Sequence, residues 1–239
     1  MQHTSTLGLN RTGAQAAHAD IDEMQATAEQ LSPDLPSDGE ALAAMRRAYI
    51  AEAARVGSVP VPGTLKGVVK TTLAKATGSR PETFIDKLGE RLAFERSGTR
   101  LYEALITKCE ALDEGPAIDV DRLRQFRDEE ARHFKLLVAA METLGADPTA
   151  QTPCADVSGV ASLGLMQVID DPRTDVAHCL NAVLIAELAD HAGWELLIEL
   201  ARTAGHPDLA EQFEAALGEE MVHQQTIRAW LQQTVLSQA

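Results

Sequence analysis

The pattern E-E-x-x-H occurs twice in this chain, in "DEEARH" (Asp128 to His133) and in "GEEMVH" (Gly218 to His223). Each copy sits inside a long run whose apolar residues recur at helical spacing. The first stripe runs through Leu123, Phe126, Phe134, Leu137 and Met141, and Glu130 and His133 interrupt it. The second runs through Leu209, Phe213, Ala216, Ile227 and Trp230, and Glu220 and His223 interrupt it. A spacing of three residues puts each Glu/His pair on one helical face, the face meant for the core.

An upstream helix accompanies each copy. Leu88, Leu92, Tyr102, Leu105 and Cys109 form a stripe broken by Glu95, 35 residues before Glu130. Leu180, Val183, Leu184, Trp194, Leu197 and Ala201 form another, broken by Glu187, 33 residues before Glu220. Gly115 with Pro116, and Gly205 with Pro207, mark the turns between partners. At a rise of about 1.5 Å per residue, Glu95 and Glu130 lie roughly 24 and 21 Å from the first turn, and Glu187 and Glu220 roughly 26 and 20 Å from the second. Each hairpin thus brings its carboxylates to one level. The hairpins echo each other further, "FERSGTRLYEAL" against "AELADHAGWELL". Roughly thirty-five residues join them, with a short helical segment around "GVASLGLMQVI", long enough to cross a bundle.

The composition agrees with an all-α chain, being 45% hydrophobic but only 4% aromatic. Ser79 and Glu82 form a capping box with Pro81 in the first turn, so the main body is expected over residues 79–239. Before it lie a flexible or partly helical segment, 1–38, with a loop at "SPDLPSDG", and a helical extension, 39–78. The extension carries a helix from Glu40 to about Val56, the breaker "GSVPVPG" and a basic helix in "TLKGVVKTTLAKA". A net charge of -15 argues against nucleic acid and anionic membrane surfaces as partners. Cys109, Cys154 and Cys179 form no C-x-x-C, which argues against a thiolate metal site and a disulfide scaffold. The N-terminus has no signal-peptide core and no run reaches membrane-spanning length, so a cytoplasmic protein is expected.

Four ionised glutamates in a helical core cost several kcal/mol each unless they are paired or metal-bound. Two histidines cannot balance them, whereas two divalent cations supply the missing charge and leave both imidazoles as neutral ligands. Glutamate and histidine together suit iron or manganese. The competing reading has the histidines as hydrogen-bonded core residues and the glutamates one helical position from the core, in a metal-free helical interaction module.

These paired motifs resemble the ferritin-like superfamily, which includes bacterioferritins and rubrerythrins, over about residues 83–235. The resemblance implies a four-helix bundle of two hairpins joined by a long crossover, here with a helical N-terminal extension. It implies two metal ions held by Glu95, Glu130, His133, Glu187, Glu220 and His223, with Glu130 and Glu220 bridging and Glu95 and Glu187 each capping one ion. Tyr102 and Asp190 are the implied site-adjacent catalytic candidates, with Asp190 as a further ligand or as partner to a ligating histidine; His191 is an additional ligand candidate. Glu129 is expected just outside the ligands or at the surface, where it or Asp190 could relay protons. The expected cofactor is two Fe ions, with two Mn or a mixed Mn/Fe pair as alternatives. The implied activity is that of a non-haem dinuclear oxidoreductase acting on O2 or peroxide, with a small molecule as a further partner. The alternative is a ferroxidase or iron-handling protein. The missing C-x-x-C removes the rubredoxin-like module of a full rubrerythrin, and the extension and crossover are unlike a minimal storage ferritin. The extension could cover the bundle or mediate a homodimer.

Overall fold

The computed structural model describes residues 18–31, 39–60, 81–112 and 118–237. Ser79 of the capping box, the Gly115–Pro116 turn, residues 1–17, most of "SPDLPSDG" and the basic segment "TLKGVVKTTLAKA" lie outside these. The chain divides into two units, Met1–Ala54 and Arg55–Ala239. The first carries α1 (His18–Leu31) and α2 (Gly39–Glu52). The helix expected to reach Val56 ends at Glu52, ahead of Gly57, whose φ of 152° is one that other residues rarely adopt.

The second unit contains α3 (Pro81–Leu112), α4 (Val120–Leu144), α5 (Pro153–Asp170), α6 (Val176–Thr203) and α7 (Pro207–Ser237). Their ends are set by side chains. Asp119 caps α4 by accepting from the Arg122 amide, and Gly145, in the left-handed region at φ 81°, closes it. Thr152 caps α5 ahead of Pro153, Asp175 and His178 form a capping box on α6, and Gly205 (φ 79°) with Pro207 makes the turn into α7. Caps of this kind contribute about 1 kcal/mol each. The predicted short crossover helix is the full-length α5, which packs on α3 and α6. Gly89 permits the contact with α3, since a Cβ there would come within 2.5 Å of the Thr152 hydroxyl.

The α3/α4 and α6/α7 hairpins and the crossover make a ferritin-like four-helix bundle. Its hydrophobic interior is in two parts. One cluster gathers Phe84, Leu88 and Leu92 of α3 with Leu137 and Met141 of α4, Trp194 and Leu197 of α6, and Phe213 of α7. The other gathers Leu101, Tyr102 and Leu105 with Leu123 and Phe126, Leu180 and Val183, and Ile227. The start of α3 therefore meets the end of α4 and α6 and the start of α7, so α3 and α7 point one way and α4 and α6 the other. Phe134, Leu184 and Trp230, expected fully inward, are partly buried and pack against these clusters. Between the clusters lies a polar layer. Among the described residues no helix is long and apolar enough to cross a membrane.

Candidate metal centre

Every bundle helix contributes to this layer at the level the sequence spacing predicts. Glu95 comes from α3, Glu130 and His133 from α4, Glu187 from α6, and Glu220 and His223 from α7; none is more than 3% exposed. Their ligand atoms form two groups. Glu130, Glu187, Glu220 and His223 each place one such atom within 4.8 Å of the others, and Glu95, His133 and Glu220 do the same. Glu220 belongs to both. Glu130, which the resemblance makes a second bridge, falls within the His223 group alone.

Each imidazole turns Nδ1 to the centre and Nε2 outward. His133 Nδ1 lies 2.6 Å from Glu220 Oε1 and 3.6 Å from Glu95 Oε2, while its Nε2 lies 2.9 Å from Glu219 Oε2. His223 Nδ1 lies 3.1 Å from Glu220 Oε2, 3.4 Å from Glu130 Oε1 and 3.8 Å from Glu187 Oε2, while its Nε2 lies 2.7 Å from Glu129 Oε2. The first Glu of each E-E-x-x-H therefore reaches across to the histidine of the other hairpin. Arg132 lies beside both, 3.5 Å from Glu129 and 3.2 Å from Glu219. Carboxylates in such outer positions fix the ring orientation of a ligating histidine and raise its basicity.

Most of the inward atoms are left without hydrogen bonds, as are both carboxylate oxygens of Asp190 and Nε and Nη2 of Arg91 beside the layer. Both oxygens of Glu95 and of Glu220, Oε2 of Glu187, and Nδ1 of His133 and of His223 are buried with no hydrogen-bond partner of adequate geometry. Buried polar atoms are normally satisfied, so a convergent set of carboxylate and imidazole atoms without hydrogen bonds fits the binding of a cation. The donor set, carboxylate oxygens and imidazole nitrogens without a thiolate, is suited to divalent metal ions. Together the two groups can chelate a dinuclear metal centre.

Protonation shows the same excess of negative charge. Burial, then the charges of Glu220, Glu95 and Glu187, holds the Glu130 carboxyl well above the usual range. Burial and the charge of Glu220 push Glu187 up to about 8. Burial alone would lower both histidines, but the close carboxylates of Glu220 and Glu95 raise His133 to about 11, and those of Glu220, Glu187 and Glu129 raise His223 to about 9. Burial alone would raise Glu220, but His133 and His223 together outweigh it and hold that carboxyl below the usual range. The cluster gathers protons where cations would sit.

The remaining predicted residues have distinct places. The Tyr102 hydroxyl donates to Glu187 Oε1 at 2.7 Å, leaving Oε2 of that carboxylate facing the group, and the ring packs edge-on to Phe126 and His223. Asp190 is buried but belongs to neither ligand group; its Oδ1 lies 2.6 Å from Nη2 of Arg91. His191 is partly exposed, with Nε2 3.4 Å from Glu195, and is likewise in neither group. Arg91, Gly98 and Glu219 did not stand out in the sequence. Gly98 leaves room for Glu130: a Cβ there would lie 2.1 Å from its Oε2. The sequence signal for Glu219 was present, as the counterpart of Glu129 in the repeated motif; Arg91 and Gly98 carry no signal beyond lying one turn before and three residues after Glu95.

No curated protein and no solved structure matches the chain. A family model described as "Domain of unknown function (DUF892)" matches residues 79–239, a span that holds the whole bundle and both Glu/His sets, and the chain belongs to that family.

Proposed function

We propose that the bundle is a non-haem dinuclear oxidoreductase of the ferritin-like superfamily, with two iron ions, or manganese in one or both positions, as the redox centre acting on O2 or peroxide. The observation that carries this reading is the convergence of carboxylate and imidazole atoms without hydrogen bonds from all four helices on one buried layer. Glu220 would be shared between the ions. Glu95 and His133 would complete one position, and Glu130, Glu187 and His223 the other. When bound, such a pair supplies electrons to an oxidant and polarises it.

The chain's own residues would do the rest. Glu219 and Glu129 hold the two imidazoles in the tautomer that presents Nδ1 inward. Tyr102 fixes one oxygen of Glu187 by donating to it; burial, Glu187 and Glu130 hold its hydroxyl well above the usual range, so the proton stays on Tyr102 and the hydrogen bond persists at neutral pH. The apolar clusters above and below exclude bulk water from the carboxylates.

Anaerobic reconstitution with ferrous iron, followed by rapid addition of O2 or peroxide under optical and Mössbauer observation, tests this. About two irons per chain, oxidised together, are expected. Less than about one metal per two chains after reconstitution with iron or manganese would overturn the reading. Retention of many irons per chain in an assembly of several hundred kilodaltons would instead favour an iron-storing protein.

A further inference from the structure

Beside the layer lies a buried cation that the dinuclear reading does not require. Arg91, 3% exposed, sits one helical turn before Glu95 on α3 and reaches across to the other hairpin. Its Nη2 is 2.6 Å from Asp190 Oδ1, its Nη1 donates to the Asp190 carbonyl at 3.2 Å, and its Nε is 3.6 Å from Glu95 Oε1. Phe94 covers the guanidinium, whose Cζ lies 4.2 Å from the ring centroid. The place is built for it: a Cβ at Gly193 would fall 1.8 Å from Arg91 Nη1, so this approach to α6 requires glycine there.

This arrangement makes the two ligand groups unequal. The His223 group offers three carboxylates and an imidazole, with Glu187 fixed by Tyr102. The His133 group offers two carboxylates and an imidazole, and one of those, Glu95, already faces a permanent positive charge through Oε1. A cation entering beside Glu95 meets the repulsion of Arg91 in a buried interior, where charges a few ångströms apart interact strongly. It must also share Glu220 with whatever occupies the other group.

We infer that the two metal positions fill in order, the Glu130/Glu187/Glu220/His223 position first and the Glu95/His133/Glu220 position second and more weakly, with Arg91 as the positioning residue that sets the difference. The second position is then the exchangeable one, where a different divalent ion can enter while the first is retained. This inference rests on the dinuclear reading.

Titration of the full-length protein with Mn(II) alone, followed by electron paramagnetic resonance, tests it without any turnover. The first equivalent should give a bound mononuclear signal, and the spin-coupled signal should grow with the second. If both positions were identical and independent, about a quarter of the chains would already be coupled at one equivalent, and that share or more would overturn the inference. Arg91→Gln should tighten the second step at least tenfold and leave the first within about threefold. Asp190→Asn, which leaves Glu95 as the remaining buried carboxylate in contact with Arg91, should weaken the second step alone. A merely structural cross-helix pair would change both steps in parallel in both variants, and that result would overturn the role given to Arg91. Should Arg91→Gln not fold, Asp190→Asn and the charge-conserving Arg91→Lys, which should preserve the gap, decide the question. If no Mn(II) binds even at excess and iron fails likewise, the dinuclear reading falls and this inference with it; two equally held ions overturn the inference alone.

Discussion

Replacing Gly98 by alanine separates the stability of the bundle from its affinity for metal. Gly98 is a helical residue of α3, so alanine there should favour the helix by about 1 kcal/mol in propensity. The added Cβ, however, would lie 2.1 Å from Glu130 Oε2 and 2.8 Å from its Cδ. Unstrained contact needs roughly 3.5 Å, so the carboxylate must move by about 1.4 Å. The obstructing atoms are the end of a flexible side chain, and the fold can yield by turning Glu130 away. A ligand site tolerates only about 0.2 Å. Gly98→Ala should therefore keep its helical content and a metal-free melting temperature equal to or a few degrees above that of the parent. Its affinity for Mn(II) or Fe(II) at the His223 position should fall at least about 100-fold, which corresponds to roughly 2.8 kcal/mol. The rise in melting temperature on metal addition should shrink accordingly, because that rise reports binding to the native state. Anaerobic metal titration, with circular dichroism melts with and without metal, measures both quantities on the same samples. Wild-type affinity in a well-folded Gly98→Ala protein would refute the placement of Glu130 at the centre.

Glu130→Ala should lose most of the bound metal while keeping its helical content, and unchanged stoichiometry by elemental analysis would remove Glu130 from the ligands. Glu219→Gln and Glu129→Gln should each weaken metal binding by about 10- to 100-fold through loss of the anchor on His133 or His223; isothermal titration would show no change if these carboxylates only decorate the surface. Tyr102→Phe leaves Glu187 Oε1 without its donor and should cost about 1–2 kcal/mol in the metal-free protein by denaturant titration, a cost that vanishes if the hydroxyl is incidental. For the metal-free protein, His133 and His223 have folded pKa values raised to about 11 and about 9, so their contribution is complete below pH about 6.5 and is lost as pH rises through those values. Glu187, raised to about 8, loses its contribution between pH about 4.5 and 8, whereas Glu220, held low, loses its own only in acid. Calorimetry from pH 6.5 to 9 should show the metal-free melting temperature falling and the metal-induced increment growing, with proton release on binding; a metal-free melting temperature that rises across this window would contradict the arrangement of the cluster.

The bundle was legible because its helices are long, strongly periodic and punctuated. A Gly/Pro turn or a side-chain cap stands at most boundaries, and a deviation of one residue at a helix end does not alter which face is buried. The convergence of six polar side chains at mid-bundle was legible for a related reason: polar residues in apolar stripes at matched depth have few physical explanations. The pairing of Asp190 with Arg91 was not legible, because it depends on two helices distant in sequence and on the missing side chain of Gly193. Periodicity places Arg91 on the inward side as readily as Glu95, one turn away, but a long arginine side chain usually carries its charged head out to solvent, so nothing in the spacing distinguishes this one. Gly98 and Gly193 illustrate the general limit. A residue that acts by leaving space has no chemistry of its own to recognise until the atom filling that space is known.

The crossed anchoring gives the repeated motif a meaning that neither copy has alone. In each E-E-x-x-H the two glutamates lie about 100° apart around the helix, so they cannot both face the centre. The second glutamate points inward, and the first points across the α4/α7 seam to the opposite histidine. Neither hairpin therefore contains a complete position: the α3/α4 hairpin needs Glu219 and Glu220 to hold and complete His133, and the α6/α7 hairpin needs Glu129 and Glu130 for His223. A cation bound at the layer can be fully liganded only when the hairpins are docked, so its binding energy acts directly on their association. The layer would otherwise be a weak plane between two hydrophobic clusters, with unpaired buried carboxylates that oppose docking. Metal removal should accordingly loosen the contact between hairpins before it unfolds either one, and hydrogen exchange should find the amides of α4 and α7 around Glu130 and Glu220 deprotected first. Uniform protection in the metal-free and metal-loaded protein would show that the apolar clusters alone hold the hairpins together.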